Sequence, residues 1–236
     1  MISELISKKT IDLYQSKSQD YLILIDKPQN WTSFNVVKKI KNVGNFKKVG
    51  HAGTLDPLAT GLLIIGTGKK TRELTKISND VKAYVATIRF GSQTDTYDVT
   101  GNIIMKKNIT RIDLQRVDDI LQSFLGESEQ IAPMYSAKKQ HGIRLYKLAR
   151  QGREIHREPH KINIFEIKPI ELQENDLSIY IKCSKGTYIR SLAHDIGIKC
   201  GYGANIANLR RISINDFYVE DALTIDEFQN YWMSLN

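Results

Sequence analysis

The apolar positions of the chain follow two different periods, and together they are typical of an α+β protein. From Lys82 to Phe90 an apolar residue recurs at every second position, with Tyr84 and Ile88 on one face, which is the pattern of a strand. The continuous apolar run at Leu62–Ile65 indicates a buried strand. The predicted strands are Tyr21–Ile25, Leu62–Ile65, Lys82–Phe90, Ile162–Ile167 and Leu177–Lys182.

Apolar residues spaced three and four positions apart predict helices between these strands. Thr32 or Ser33 can cap the first helix. Its apolar side is predicted to carry Phe34, Val37 and Ile40. The other predicted helices are Lys69–Ile77, Leu114–Phe124, Tyr188–Lys199 and Ile225–Trp232. Because strands outnumber strand–helix–strand units, we predict a mixed, mainly antiparallel central sheet flanked by helices.

The chain shows no linker that would divide it into domains. Residues 1–20 are polar and are predicted to form a peripheral N-terminal extension. Residues 21–236 are predicted to form one domain, which a length of 236 residues permits.

Composition excludes several classes of protein. With 41% hydrophobic and 25% charged residues, the chain is globular rather than disordered. It has no run of ~20 apolar residues that could cross a membrane. Acids and lysines interrupt the apolar runs of the N-terminus, so no secretory signal is predicted. The cytoplasm is the simplest expectation for its location.

The cysteines and histidines do not predict a metal site. Cys183 and Cys200 could pair, but a chain of this size does not need a disulfide. His156 and His160 have the spacing of zinc ligands on a helix, but Pro159 lies between them and no HExxH glutamate accompanies them. We therefore interpret both histidines as exposed polar residues and expect no metal.

Positive charge is concentrated in one segment. Lys138–Lys161 contains eight basic and two acidic residues, or +6 of the net charge of +8. Such a run can be a solvated helix face, but the nearby Tyr135, Tyr146 and His141 favour RNA, since aromatic side chains stack on unpaired bases. The predicted phosphate-binding side chains are Lys138, Lys139, Arg144, Lys147, Arg150, Arg153 and Arg157.

The most unusual segment is GHAGTLDPLATG at Gly50–Gly61. Three glycines and a proline in twelve residues indicate a shaped loop, and an apolar strand follows it directly. Asp56 is its only acidic residue, and Pro57 disfavours the α region at Asp56. Composition alone leaves two interpretations open: an Asp-Pro turn, or a loop that carries chemistry. Neither GxxxxGK[ST] nor GxGxxG is present.

This loop resembles the catalytic loop of the TruB family of tRNA pseudouridine-55 synthases, and other motifs follow in the family's order. They are Asp26-Lys27-Pro28, Lys82-Ala83-Tyr84, GSQTDTYD at Gly91–Asp98, QIAPMYSAKK at Gln130–Lys139, Gly142–Arg157, CSKGTYIR at Cys183–Arg190 and Leu209-Arg210-Arg211. The resemblance covers about residues 21–230, nearly the whole chain. On these motifs the chain is identified as a member of the family.

The resemblance implies a pseudouridine-synthase fold with an RNA-clasping thumb at about residues 131–160. It also implies that a uridine in the T loop of tRNA is flipped out and isomerised, without a cofactor because the product is an isomer of the substrate. The expected partner is the T stem-loop of tRNA, with no membrane and no obligatory protein partner. The protein is expected to be a monomer without the C-terminal PUA domain that bacterial members commonly carry.

The resemblance implies a catalytic role for Asp56, Tyr84 and Arg190. Asp56 fits a nucleophile, and Arg190 resembles the arginine that keeps that carboxylate ionised and oriented. Tyr84 resembles the tyrosine that stacks on the flipped base and can transfer a proton. Without the motif, a lone strand tyrosine such as Tyr84 would be interpreted as core.

Five further residues resemble the family's substrate-binding set: His51, Tyr188, Leu209, Lys27 and Asp98. His51 resembles the histidine near the extruded bases, although a structural hydrogen bond is an alternative. Tyr188 and Leu209 resemble walls of the uracil pocket, and Tyr188 shares a face with Arg190 if both lie in a strand. Lys27 more readily supports the catalytic loop than touches substrate, and Asp98 is expected to position loop or RNA groups.

Two other functions remain open at this point. The fold could serve as a non-catalytic module that binds or folds RNA, although such a module would not need Asp56. The chain could also be a related synthase that acts on another RNA.

Overall fold

The computed structural model describes residues 4–13, 18–140 and 142–235. The chain forms two compact units. Unit 1 comprises Met1–Tyr84 and Leu209–Asn236, and unit 2 comprises Val85–Asn208. His141, which favoured RNA binding in the basic segment, lies outside the described residues.

The strands carry labels in chain order. They are β1 (Leu5–Ile6), β2 (Leu22–Lys27), β3 (Val49–Ala52), β4 (Thr60–Thr67), β5 (Lys82–Phe90), β6 (Ser92–Thr94), β7 (Ile103–Lys106), β8 (Gly126–Gln130), β9 (Lys139–Gln140), β10 (Ile143–Arg144), β11 (His160–Gln173), β12 (Asp176–Cys183), β13 (Ala204–Ile214) and β14 (Phe217–Tyr218). The chain passes from one unit to the other inside β5 and again inside β13.

The helices are labelled in the same way. They are α1 (Ser33–Gly44), α2 (Leu74–Ser78), α3 (Leu114–Gln122), α4 (Leu145–Ala149), α5 (Ile189–Cys200) and α6 (Ile225–Ser234). Short 3₁₀ helices lie at Ile11–Leu13, Gly68–Arg72 and Val219–Asp221. In the part of the chain that the structure describes, no helix has the length and apolar character needed to cross a membrane.

The sheet of unit 1 is organised around β4. Strand β2 pairs antiparallel to β4 along its length, β3 pairs antiparallel to its second half, and β13 pairs parallel to its start. Strand β2 alternates between two apolar clusters, as its period of two requires. Ile23 and Ile25 pack with α1 and α6, whereas Leu22 and Leu24 pack with Ile64 and other residues on the opposite face.

Helix α1 begins with a capping box. The Thr32 side chain accepts a hydrogen bond from the backbone N–H of Asn35, and the Asn35 side chain accepts one from the backbone N–H of Thr32. The helix ends at Gly44, and the left-handed backbone of the cap residue Asn45 closes the last turn. This confirms Thr32 as the cap. Phe34, however, is 70% exposed, and the buried side of α1 is Val36, Val37 and Ile40 instead.

Unit 2 contains an antiparallel set of strands in which β11 pairs with β8 on one side and β12 on the other. Strand β5 lies next to β12. Helices α3 and α5 contact each other, and α5 is followed by the cap residue Gly201 in the left-handed region (φ 74°). Strands β9 and β10 pair with each other and lead into α4 within the predicted thumb.

Two expectations about local structure were wrong. Part of the N-terminal segment is not peripheral, because β1 pairs in parallel with β2 and Ile6 is fully buried in the core. The predicted helix Lys69–Ile77 is not continuous, because it is divided into a 3₁₀ turn and the short α2. The predicted helix Tyr188–Lys199 is found as α5, with Tyr188 at its N-cap position and Arg190 in its first turn, so the condition of a shared strand face is not met. Strand Lys82–Phe90 was predicted with its observed bounds.

Candidate active site

The loop between β3 and β4 carries Asp56 and is fastened to the start of α1. The Ser33 hydroxyl accepts a hydrogen bond from the Leu55 N–H at 2.9 Å and donates to the Leu55 carbonyl at 3.2 Å. The Ala59 N–H donates to the Asp56 carbonyl at 3.1 Å, which closes a turn around Pro57. Asp56 itself is half-buried. The loop therefore presents a carboxylate from a fixed backbone.

Lys27 also holds the loop of Asp56 in place. Its side chain is fully buried, and Nζ donates to the carbonyls of Pro28 (2.9 Å), Trp31 (2.6 Å) and Pro57 (3.4 Å). Burial lowers the pKa of Lys27 from 10.5 to about 8, although the nearby Asp56 charge opposes that change. This geometry favours the supporting role over direct contact with substrate.

Arg211, the last residue of the matched motif Leu209-Arg210-Arg211, also contacts the loop of Asp56. Its side chain is 1% exposed, Nε donates to the Leu62 carbonyl at 2.7 Å, and Nη2 donates to the Gly53 carbonyl at 3.0 Å. The guanidinium also shares a side-chain hydrogen bond with Tyr84. Burial lowers the pKa of Arg211, and the interaction with Tyr84 acts in the opposite direction.

Tyr84, Leu209 and His51 are the remaining predicted site residues in unit 1. Tyr84 and Leu209 are almost fully buried, in β5 and β13 respectively. His51 lies half-buried in β3, where burial and the charge of Arg211 lower its pKa, so that the neutral imidazole is favoured near pH 7. Its Nδ1 has no hydrogen-bond partner among the described residues.

In unit 2, Arg190 and Asp98 are brought together. Arg190 is 4% exposed and donates to the carbonyls of Thr96 and Tyr135, each at 2.8 Å. Its Nη1 lies 3.7 Å from Oδ2 of Asp98. Oδ1 of Asp98 accepts hydrogen bonds from the Thr96 hydroxyl (2.9 Å) and from the Thr100 N–H (2.9 Å). Asp98 thus holds the loop after β6 and orients Arg190.

Tyr188 is held through its backbone. The Gln130 side chain accepts from the Tyr188 N–H at 2.8 Å and donates to the Tyr188 carbonyl at 3.0 Å. The half-buried Tyr188 ring stands edge-on to His160 at a centroid distance of 5.9 Å. Sequence reasoning missed Gln130 as the residue that fixes Tyr188, although it opens the matched QIAPMYSAKK segment.

The basic residues of the thumb fall into two groups. The exposed group is Lys139, Arg144, Lys147, Arg150 and Arg153. Lys138 and Arg157 are half-buried. Arg157 donates to the Ala132 carbonyl at 3.1 Å and pairs with Glu154 at 2.8 Å, so its guanidinium stabilises the thumb itself. The guanidinium of Arg150 lies over the Tyr146 ring at 5.5 Å.

The structure also describes the cysteines and histidines that sequence analysis considered. Cys183 and Cys200 are buried and are not joined in a disulfide. Among the described residues, no three His, Cys, Asp or Glu side chains are grouped closely enough to hold a metal ion. His156 contacts Glu158, and His160 contacts the Gly186 carbonyl.

Two family models match consecutive parts of the chain. The TruB family pseudouridylate synthase (N terminal domain) matches residues 41–189, and the tRNA pseudouridylate synthase B C-terminal domain matches residues 190–236. The chain belongs to the TruB family. The resemblance inferred from the motifs is thereby confirmed.

Curated members of the TruB family are similar over most of this chain. The tRNA pseudouridine synthase B of Syntrophotalea carbinolica is 43% identical over 208 residues, which are 88% of this chain and 68% of that protein. The tRNA pseudouridine synthase B of Clostridium tetani is 45% identical over 206 residues, which are 87% of this chain and 71% of that protein.

Solved structures confirm the predicted pseudouridine-synthase fold. A chain of a Cbf5-Nop10-Gar1 complex is 26% identical with a TM-score of 0.72, and 98% of this chain is covered. A chain of an H/ACA RNP bound to a substrate RNA containing 2′-deoxyuridine is 26% identical with a TM-score of 0.68, and 91% is covered. This TruB-family chain spans 60% and 53% of the length of those two chains.

Proposed function

We propose that this protein isomerises uridine 55 in the T loop of tRNA to pseudouridine, with Asp56 as the nucleophile. Family membership and relatives named tRNA pseudouridine synthase B support this function. The observation that carries it is the half-buried Asp56 on a loop held by Ser33 and Lys27. A fixed backbone keeps the carboxylate in position without a further loss of entropy during reaction.

The reaction needs no external oxidant, reductant or group donor. The bond from C1′ to N1 breaks, the uracil turns, and a bond from C1′ to C5 forms. The proton on C5 leaves, and N1 takes up a proton from solvent, so atoms and electrons balance. An anionic carboxylate assists by attacking either the sugar or the base. Asp56 is the residue to which we assign that step.

The other predicted residues take supporting roles. Tyr84 stacks on the flipped base, and we assign Arg190 to the catalytic set together with Asp56 and Tyr84. His51, Tyr188 and Leu209 contact the extruded nucleotides, and these contacts offset the few kcal/mol that unstacking costs. The buried Lys27 and Asp98 act by holding the loops that carry the site.

The positive charges of the thumb attract the phosphates of the RNA backbone. Its exposed cations, Lys139, Arg144, Lys147, Arg150 and Arg153, are the side chains available to phosphates, with the half-buried Lys138 beside them. We expect the protein to act as a cytoplasmic monomer on the T stem-loop, without a guide RNA or protein partner.

The direct test is to map pseudouridine in RNA treated with the purified protein. A pre-folded T stem-loop should be converted at the T-loop uridine without any added cofactor and in the presence of EDTA. A control stem-loop with uridine in a different loop sequence should remain unmodified. Binding without conversion would favour the non-catalytic RNA module, and conversion of the control RNA alone would favour a synthase for another RNA.

A further inference from the structure

Arg211 is a buried cation whose contacts are unusual for a core residue. In the described part of the chain, its hydrogen-bond partners are the Leu62 carbonyl, the Gly53 carbonyl and the Tyr84 side chain, and none is a carboxylate. Burying a charge without a counter-ion is unfavourable, whereas an apolar side chain of similar volume would fill the space at less cost. The contacts therefore indicate a role beyond filling the core.

The three contacts of Arg211 lie on different parts of unit 1. Gly53 opens the loop that leads to Asp56, and Leu62 lies in β4, directly after that loop. Tyr84 lies in β5. One planar guanidinium thus connects both flanks of the loop to the tyrosine.

Two glycines show how closely Arg211 is enclosed. Gly53 has φ +72°, and a Cβ there would lie 3.4 Å from Nη1 of Arg211. Gly61 has φ +100°, and a Cβ there would lie 2.2 Å from the Arg211 carbonyl oxygen. The backbone of Arg211 is therefore pressed against β4, and its guanidinium lies against the loop. A side chain confined at both ends has little freedom to move.

We propose that Arg211 is a positioning residue that acts through Tyr84, fixing the tyrosine hydroxyl relative to the loop of Asp56. The inference rests on the proposed function, because it assigns a task to Tyr84 in pseudouridine formation. A guanidinium can only donate hydrogen bonds, so the Tyr84 oxygen accepts from Arg211. The hydroxyl proton of Tyr84 then points away from Arg211.

A double-mutant cycle tests this proposal on a pre-folded T stem-loop. Arg211→Met keeps the volume but removes the donors, and it should lower the single-turnover rate by roughly 10- to 100-fold with the Kd for RNA within about threefold. In a Tyr84→Phe background, the same change should lower the rate by less than about threefold, because its effect depends on the hydroxyl.

Arg210→Met is the matched control, since Arg210 is the neighbouring residue and pairs with Asp26 at 2.7 Å. Its effect should be the same with and without the Tyr84 hydroxyl. If Arg211→Met does not fold, Arg211→Lys takes its place in the cycle and should show the same dependence on Tyr84. Additive effects of the Arg211 and Tyr84 changes, or a normal rate for Tyr84→Phe, would overturn the proposal. Inactive wild-type protein would instead overturn the proposed function.

Discussion

Two buried cations in unit 1, Lys27 and Arg211, donate to backbone carbonyl groups around the loop of Asp56. Lys27 donates to Pro57 and Arg211 to Gly53. A third buried cation, Lys82, lies beside the loop, because its Cε would be 3.6 Å from a Cβ at Gly53, but it donates to the carbonyls of Ser78 and Asp80 outside the loop. Carbonyl groups of a tight loop are thus satisfied by side chains, which keeps the loop conformation fixed.

The lowered pKa of Lys27 predicts a specific pH dependence of stability. The folded state has a pKa of about 8, whereas an unperturbed lysine has 10.5. Between these values the unfolded chain binds a proton that the folded chain lacks, so stability rises with pH across this window. The gain amounts to about 3 kcal/mol when the window has been crossed.

Denaturant unfolding of wild type and Lys27→Met, at pH 8 to 10.5, measures this effect. Other groups titrate in both proteins, so the difference between their free energies of unfolding isolates Lys27. That difference should shift in favour of wild type as the pH rises. A difference independent of pH would show that the Lys27 pKa is not lowered.

At the scale of elements, the start of α1 determines the position of the loop. Ser33→Ala removes both bonds to Leu55 and should lower the free energy of unfolding by about 1–2 kcal/mol. It should also lower the single-turnover rate by roughly tenfold, because Leu55 precedes Asp56. Unfolding and rate measurements on the same preparations check both effects.

Thr224→Ala is the matched control for Ser33→Ala. Thr224 caps α6 by bonding the Glu227 N–H, so its loss should cost about 1 kcal/mol of stability. The rate should remain within about twofold of wild type, because the hydrogen bond that is lost lies within α6 and does not involve the loop of Asp56. Equal losses of rate in both variants would mean that activity simply follows stability.

The thumb makes a prediction about salt dependence. Arg144, Lys147 and Arg150 are exposed, and changing all three to Ala should weaken binding to all T-loop sequences alike. If each contacts a phosphate, the slope of log K against log salt should flatten by ~1 per residue. Changing the exposed Lys38, Lys41 and Lys47 of unit 1 removes the same charge and should leave the slope unchanged. An unaltered slope in the thumb variant would indicate a solvated face.

The elements that sequence predicted well have one buried face that follows a regular period. Strand β5 alternates along its length, and its bounds were found. Strand β13 was missed because Ala204, Asn205 and Ile206 are buried consecutively, so its two faces do not differ in polarity. Arg211 also hides the strand pattern, because a charged residue is expected at the surface. Its burial depends on partners that are distant in sequence. Local pattern cannot reveal such partners.

The candidate site followed from motifs more than from periodicity. Asp56 could be singled out locally, because it is the only acidic residue in a twelve-residue segment with three glycines and a proline. Tyr84 and Leu209 looked like core residues, and their burial agrees with that description as well as with a pocket wall. The positioning of Arg190 by Asp98 needed the fold, since 92 positions of chain separate the two residues.

For the whole molecule, the central claim is that Asp56 makes this TruB-family protein a catalyst rather than an RNA-binding module. The most direct measurement compares wild type, Asp56→Asn and the control Asp118→Asn, which makes the same change at another half-buried position, in α3. Pseudouridine formation and Kd are measured with one pre-folded T stem-loop. Wild type and Asp118→Asn should convert the T-loop uridine, while Asp56→Asn should bind within about tenfold of wild type and form no pseudouridine. Normal turnover by Asp56→Asn would contradict the account.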